Sequence, residues 1–137
     1  MAEVKVEGEV DAPLDAVWKL VSDFRGFVES QGLAVTVEGE GIGTRRTVEM
    51  GASKFVERLE ALDEETHSTS YSIVDGPLPA TGYVATIALS ASDASRTHVT
   101  WSSHFEPAPG HGEEELAEMV SRIYEGGIKG LQRYFGA

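Results

Sequence analysis

One carboxylate interrupts an apolar row in the segment SKFVERLEAL, residues 53–62. The two-residue period of a β-strand would place Phe55, Leu59 and Ala61 on one face, together with Glu57. A carboxylate among hydrocarbon is costly unless it is paired or protonated, and burial suits such a group to general acid–base chemistry. Either this face is open to water or Glu57 faces a cavity, and the rest of the chain favours the cavity.

Three roles for Glu57 stay open at this point. The carboxylate could pair with Arg46 or Arg58 and join neighbouring strands. It could instead hydrogen-bond a ligand, or act as an acid–base catalyst. Catalysis would require the carboxylate within about 2.6–3.2 Å of a ligand's acidic proton, whereas a carrier needs only volume.

The other reactive residue types form no recognisable metal or nucleophile site. His98 and His104 lie on one predicted strand, about 20 Å apart at roughly 3.3 Å per residue, which is too far to share an ion. His67 falls in a predicted turn and His111 in a predicted loop. The motif G-x-S-x-G is absent, and the glycines of EGEGIG lack the strand and helix of a dinucleotide-binding loop. We therefore predict neither a metal nor a cofactor.

A sheet-rich chain must position these residues. Residues 3–10 alternate as a half-buried strand, and a short amphipathic helix follows, capped by Asp11 with Pro13 in its first turn. RGFVES predicts a second helical turn. Short connections imply antiparallel neighbours. The further predicted strands cover about 33–38, 43–50, 54–62, 67–74, 80–91 and 96–106.

A long helix is predicted at the C-terminal end. Its first turn is EEE, and one stripe runs along it through Leu116, Met119, Val120, Ile123, Gly127 and Leu131. The pair Gly126–Gly127 costs about 1 kcal/mol of helix propensity per residue, which cavity volume or close packing would explain; fraying is the alternative. The predicted fold class is α+β: a curved antiparallel sheet of six or seven strands around this helix, with two short helices after strand 1, as a single domain over 1–137.

Composition bounds the function. The chain of 137 residues has no cysteine, which excludes disulfides and thiolate chemistry and permits the cytosol. The N-terminal residues do not show a basic region followed by an apolar run, so the sequence predicts no secretory signal. It also contains no apolar stretch of about 20 residues, so it predicts no membrane-spanning helix. The net charge of −12 disfavours nucleic acid and anionic membranes. We expect a soluble, cytoplasmic protein with no membrane insertion.

Several segments resemble one superfamily. VDAPLDAVWKLVSDF (10–24), GIGTRR (41–46), VERLEALDEE (56–65), YSIVDGPLPATGY (71–83) and VTWSSHFEP (99–107) are similar to the helix-grip or SRPBCC superfamily, which contains START domains, birch-pollen-allergen-like proteins and polyketide cyclase/dehydrase-like proteins. Within it, the text is most similar to the plant branch of abscisic acid receptors and lachrymatory-factor synthase. The resemblance implies a deep, mostly apolar cavity between sheet and C-terminal helix.

The resemblance also implies roles for particular residues. Glu57 matches the cavity Glu of the ERL motif, which is held to transfer protons in the synthase, and Arg46 matches the arginine that closes a G-x-x-R turn. DGPLPA matches the receptors' gating loop, whose latch-like mobility would fall on Pro77, Leu78 and Pro79. Two departures argue against hormone-like binding: Glu29 stands where the receptors have a ligand-binding lysine, and Ser102 stands where they have a further pocket Glu. MGAS is also shorter than their second gating loop.

The strand period extends the predicted lining from these anchors. On the strand after Arg96, hydrophobicity favours Val99, Trp101 and Phe105 inward, whereas the resemblance favours Thr100, Ser102 and His104, and we adopt the latter. Tyr71 and Tyr83 could offer hydroxyls to a carbonyl or only fill space. The predicted ligand-binding set is Glu29, Val48, Met50, Phe55, Leu59, Tyr71, Ile73, Leu78, Pro79, Tyr83, Ala85, Ser102, His104, Met119, Ile123 and Gly127.

Two functions of different class follow. The preferred one is a carrier or sensor for a small apolar molecule (a lipid, a polyketide or similar), uncharged or weakly cationic, with GPLPA as a lid. The alternative is a cyclase, dehydratase or isomerase acting on a polyketide-like carbonyl substrate, with Glu57 as base and Arg46 or a tyrosine stabilising the enolate oxygen. A homodimer formed through the lid is compatible with either.

Overall fold

One antiparallel sheet forms the frame of the protein. The computed structural model describes residues 1–136. The sheet has the strand order β1-β7-β6-β5-β4-β3-β2, and every neighbouring pair is antiparallel. This confirms the predicted fold class of a curved sheet with a long C-terminal helix. The strands are β1 (Ala2–Val10), β2 (Ala34–Glu38), β3 (Arg45–Met50), β4 (Ser53–Asp63), β5 (Ser68–Asp75), β6 (Ala80–Asp93) and β7 (Arg96–Pro107).

Three helices accompany the sheet: α1 (Leu14–Val21), α2 (Gly26–Ser30) and α3 (Glu113–Gly136). In α1 the buried positions are Val17, Trp18 and Val21, and the indole nitrogen of Trp18 donates to Glu64 at 2.6 Å. The predicted cap was wrong. Pro13 flanks the first turn with no side-chain cap, and the carboxylate of Asp11 accepts from Arg96 at 2.9 Å. No helix within residues 1–136 combines the length and apolarity needed to cross a membrane.

The buried face of α3 differs from the predicted stripe. Met119 and Ile123 are 49% and 38% exposed, whereas Tyr124 is 1% exposed. The helix is turned so that the ring of Tyr124 stacks on Trp101, with 4.7 Å between ring centroids. Such an aromatic pair buries far more surface than Ile123 would. The buried positions are Leu116, Val120, Tyr124, Gly127, Ile128, Gly130 and Leu131.

The expected orientation of β7 was also wrong. Trp101 and Phe105 are 6% and 1% exposed, so they face the core, and Ser102 and His104 lie on the opposite face. Burying two large aromatic rings outweighs the alternative, in which two small polar side chains would occupy the interior.

A bulge changes the phase of β4. Glu57 pairs with Ile73 and Leu59 with Tyr71, but the register shifts between Leu59 and Ala61. Glu57 and Leu59 therefore share a face as predicted, whereas Ala61 is exposed because the inserted residue rotates it outward.

Candidate functional site

A cavity of about 340 Å³ lies between α3, α2 and the part of the sheet formed by β3 and β4. It exists because α3 packs mainly on β1 and β7, at the other edge. Apolar and aromatic side chains form the largest part of its wall. The lining residues are Phe27, Val28, Gln31, Leu33, Arg46, Val48, Met50, Glu57, Tyr71, Trp101, Arg122, Ile123, Gly126, Gly127 and Arg133.

The aromatic wall is held in place from several sides. The Trp101 ring stacks on Tyr124 and lies 5.7 Å from the ring of Phe27. Its indole nitrogen donates to the Tyr71 hydroxyl oxygen at 3.1 Å. A ring fixed by packing and by a hydrogen bond gives the cavity a preformed surface rather than a collapsible one.

The two adjacent glycines of α3, Gly126 and Gly127, have different structural roles. A Cβ at Gly127 would overlap the Trp101 ring, so this glycine permits close packing. A Cβ at Gly126 would meet nothing within 4 Å, and Gly126 lines the cavity. Both explanations offered from the sequence therefore apply, one to each residue. The fraying alternative was wrong, since the helix continues to Gly136.

Arg46 and Glu57 form an ion pair in the cavity wall. They lie directly opposite each other on β3 and β4, and Arg46 Nε is 2.8 Å from Glu57 Oε1. Arg46 Nη1 also donates to the Phe24 carbonyl at 2.8 Å, and the guanidinium lies 3.9 Å from the centre of the Phe24 ring. Their side chains are only 5% and 15% exposed. The pair therefore joins two strands and ties the α1–α2 connection to the sheet, as the pairing alternative required.

Tyr71 provides a hydroxyl at the cavity wall. Burial raises the pKa of Tyr71 well above its ordinary value, so the phenol stays protonated. Its oxygen already accepts from Trp101, and to the other residues of 1–136 the hydroxyl donates no hydrogen bond. A neutral donor with its proton unused can serve a carbonyl or carboxylate oxygen.

Tyr83 belongs to the core instead. Its hydroxyl shares a short hydrogen bond with that of Tyr124, and its ring lies 5.7 Å from Phe105. Burial raises the pKa of both tyrosines, that of Tyr124 to about 12. Tyr83 does not line the cavity, which leaves it the space-filling role.

The predicted site residues divide into four groups, the last of which, Pro79 and Met119, lines a second hollow. Seven line the cavity: Arg46, Val48, Met50, Glu57, Tyr71, Ile123 and Gly127. Others pack in or against the core, away from the cavity: Leu59, Ile73, Leu78, Tyr83 and Ala85. Phe55 packs beneath Gly76, where an added Cβ would lie 2.8 Å from its ring.

The third group lies away from the cavity. Glu29 is exposed and pairs with Arg25 at 3.9 Å, because α2 turns Phe27 and Val28 toward the cavity. Ser102 and His104 line a groove on the outer face of the sheet.

The lid segment lies beside a second hollow rather than over the cavity. Pro79 and Met119 line this hollow of about 710 Å³, together with His111 of the loop before α3 and other residues of the first half of α3. The Pro79 carbonyl accepts from the Ala108 amide at 2.8 Å, which holds the segment against the end of β7. Arg122 and Ile123 line both hollows and so separate the lid from the cavity.

Sequence reasoning missed part of the lining. Phe27, Val28 and Gln31 share one side of α2, and Arg122, Gly126 and Arg133 share one line of α3 at helical spacing. A helical-wheel argument on α2 could have found the first set. Trp101 would have followed from the hydrophobic phase of β7.

Comparison with known proteins supplies the family. The family model described as polyketide cyclase / dehydrase and lipid transport matches residues 1–136. The abscisic acid receptor PYL6 of Arabidopsis thaliana is 28% identical over 140 residues, covering 91% of this chain and 65% of the receptor. The chain thus spans less than two thirds of the length of that curated relative.

Two solved bacterial structures are similar over almost their full lengths. The protein XoxI from Bacillus cereus is 26% identical with a TM-score of 0.89, covering 98% of this chain and 96% of XoxI. A Thermobifida fusca protein is 30% identical with a TM-score of 0.82, covering 98% of this chain and 93% of its own. The resemblance predicted from the motifs is confirmed, and this chain belongs to the polyketide cyclase / dehydrase and lipid transport family.

Proposed function

We propose that this protein binds a small, largely apolar molecule in the cavity between α3, α2 and strands β3 and β4, as a carrier or sensor. The observation that carries the proposal is the cavity itself, about 340 Å³ with a mainly apolar wall. This volume falls at the small end of the range of about 300–1,000 Å³ typical of ligand pockets. The family description includes lipid transport, and the receptor relative is named for a small molecule, which agrees with such a role.

The polar groups of the wall suggest how a ligand would be oriented. Tyr71 has an unused hydroxyl proton, whereas Arg46 already donates to Glu57 and to the Phe24 carbonyl. We therefore assign Tyr71, rather than Arg46, as the main donor to a ligand oxygen in this part of the wall. A ligand with an apolar body and one carbonyl-type oxygen fits this arrangement.

The test fills the cavity from the helix side. The neutral dye N-phenyl-1-naphthylamine becomes fluorescent in apolar surroundings, and its titration reports binding. Gly126→Leu projects a side chain into open cavity space, whereas Glu125→Leu adds the same side chain at an exposed neighbouring position. We expect Gly126→Leu to weaken dye binding about tenfold or more and Glu125→Leu to leave it unchanged. Equal binding by wild type and Gly126→Leu would show that the dye, and the proposed ligand, do not use this cavity.

A second candidate function is a cyclase, dehydratase or isomerase acting on a carbonyl substrate. It is favoured by one observation: Glu57 and Tyr71 line the same cavity, so a carboxylate base and a phenol donor could act on one substrate. Glu57 Oε1 is occupied by Arg46, while Oε2 has no hydrogen-bond partner among the described residues.

Native mass spectrometry of protein purified from its own host would separate the two candidates. If an apolar compound copurifies, it is incubated with wild type and with Glu57→Gln, and conversion is followed by liquid chromatography with mass detection, which also separates products of equal mass. Conversion by wild type alone supports the enzyme. An unchanged compound retained by both supports the carrier.

A further inference from the structure

The charged groups of the cavity are predominantly cationic. Three arginines line it, Arg46, Arg122 and Arg133, against one carboxylate, Glu57. Arg46 and Glu57 neutralise each other at 2.8 Å. The lining therefore keeps two positive charges that its own residues do not balance, in a protein whose formal net charge is −12.

Arg122 and Arg133 stand at the open side of the cavity, because both are exposed while lining it. Arg122 pairs with Glu118, one helical turn earlier, in a pair whose side chains are 74% and 65% exposed. Exposed pairs of this kind are weak and exchange readily. No carboxylate of residues 1–136 lies within 4 Å of Arg133.

A basic residue in the last turn of a helix is common for a simpler reason, since it complements the helix dipole. That reason accounts for Arg133 alone. It does not account for Arg122, which lies in the middle of α3, nor for the position of both arginines on the same line of the helix as Gly126.

From this we infer that the ligand is an amphiphilic organic acid, with its apolar body in the cavity and its anionic group at the open side, between Arg122 and Arg133; the inference rests on the proposed function. The two arginines lie about 16 Å apart along α3, so the anion is attracted by both charges rather than bound by both side chains at once. This inference replaces the sequence-based preference for an uncharged or weakly cationic molecule. The net negative charge of the protein does not favour an anionic ligand. Distant carboxylates repel an anion and are screened beyond about 8 Å at physiological ionic strength, so any preference for an anion must come from groups at the site.

The test compares two probes with the same hydrocarbon chain. Decanoate and 1-decanol are each titrated against the complex with N-phenyl-1-naphthylamine at physiological ionic strength and mildly alkaline pH, and dye displacement gives their relative affinities. The variant Arg122→Gln/Arg133→Gln removes both cations. Lys19→Gln/Lys129→Gln is the matched control, because it removes two exposed cations that do not line the cavity.

We expect decanoate to displace the dye about tenfold more effectively than decanol. The preference should shrink in high salt, disappear in Arg122→Gln/Arg133→Gln and persist in the control. Both variants should unfold within a few degrees of the wild-type temperature, because the substituted side chains are exposed.

Two results would overturn the inference in distinguishable ways. Dye binding with no preference for decanoate, or with a preference that survives Arg122→Gln/Arg133→Gln, removes the acidic ligand and leaves the proposed function intact. Absence of binding by the dye and, in calorimetry, by both probes removes the proposed function as well.

Discussion

At the residue scale, the ion pair between Arg46 and Glu57 is the most consequential contact of the site. Both side chains are largely withdrawn from water, and Arg46 has a further partner in the Phe24 carbonyl. A buried pair contributes little compared with a well-packed apolar pair, but removing one partner leaves an unbalanced charge. The pair is therefore a fragile point of the fold as well as part of the cavity wall.

This asymmetry gives a prediction for Arg46→Met. We expect the free energy of unfolding to fall by about 3–5 kcal/mol, measured by urea denaturation. The double variant Arg46→Met/Glu57→Leu should recover part of that loss, because no isolated carboxylate remains. A loss below about 1 kcal/mol for the single variant would place the pair in the class of weak, solvated contacts.

The neighbouring glycines of α3 give a second prediction with an internal control. Gly127→Ala should destabilise the protein by about 1–3 kcal/mol, because its methyl group would overlap the Trp101 ring. Gly126→Ala should stabilise it by up to about 1 kcal/mol through helix propensity, because nothing obstructs the methyl group. Thermal unfolding of the two variants measures both changes, and equal effects would contradict the packing described for Trp101.

At the element scale, β1 and β7 are joined on their outer face by a histidine between two carboxylates. His98 Nε2 is 2.9 Å from Glu7, and Nδ1 contacts Glu9. Hydrogen bonds to Glu7 and then Glu9 raise the pKa of His98. The pKa of Glu7 is lowered chiefly by His98, and that of Glu9 by Ser92 and then His98.

The sign of the resulting pH dependence follows from linkage. The raised pKa of His98 gives stability that is present below its unfolded value of about 6.5 and lost as pH rises through the folded value. The lowered pKa values of the glutamates give stability that is lost in acid. Between about pH 6 and about pH 8.5, wild type should therefore lose stability relative to His98→Gln, measured by urea denaturation across the range. In a Glu7→Gln/Glu9→Gln background the difference should vanish; its persistence would assign the effect to another group.

The elements themselves were largely predictable, because strand alternation and turn residues are local signals. The register that brings Arg46 opposite Glu57 was predictable in principle too: Met50 pairs with Ser53 across a two-residue turn at Gly51. The sequence did not settle which face of β7 points toward the core. Hydrophobic alternation correctly indicates Trp101 inward, and the resemblance pointed the other way.

Two further errors have the same physical origin. The stripe of α3 admits either Ile123 or Tyr124, and only the stack on Trp101 decides between them. Counted along the sequence, Ala61 follows the two-residue period of β4, but a bulge between Leu59 and Ala61 interrupts that period. Long-range packing and inserted residues leave little trace in local patterning. The family resemblance therefore predicted that a cavity exists, whereas the residues that line it were harder to predict.

At the scale of the whole molecule, binding and stability should be coupled. A ligand that occupies the cavity binds only the folded protein, so the dye at about 100 times its dissociation constant should stabilise wild type by about 2.7 kcal/mol. Thermal unfolding with and without dye measures this. Gly126→Leu should show a much smaller shift at the same dye concentration, and an equal shift in both would indicate binding elsewhere.

The bare backbone at Gly126 has a consequence for how such a chamber can change. Any side chain placed there would strengthen α3 and shorten the room available to a guest in the same step. Substituting Ala, Val and Leu in turn at this position would therefore reduce the cavity volume in steps, and the largest ligands would be excluded first. A single substitution could then change the size of ligand that is accepted, while the rest of the fold stays the same.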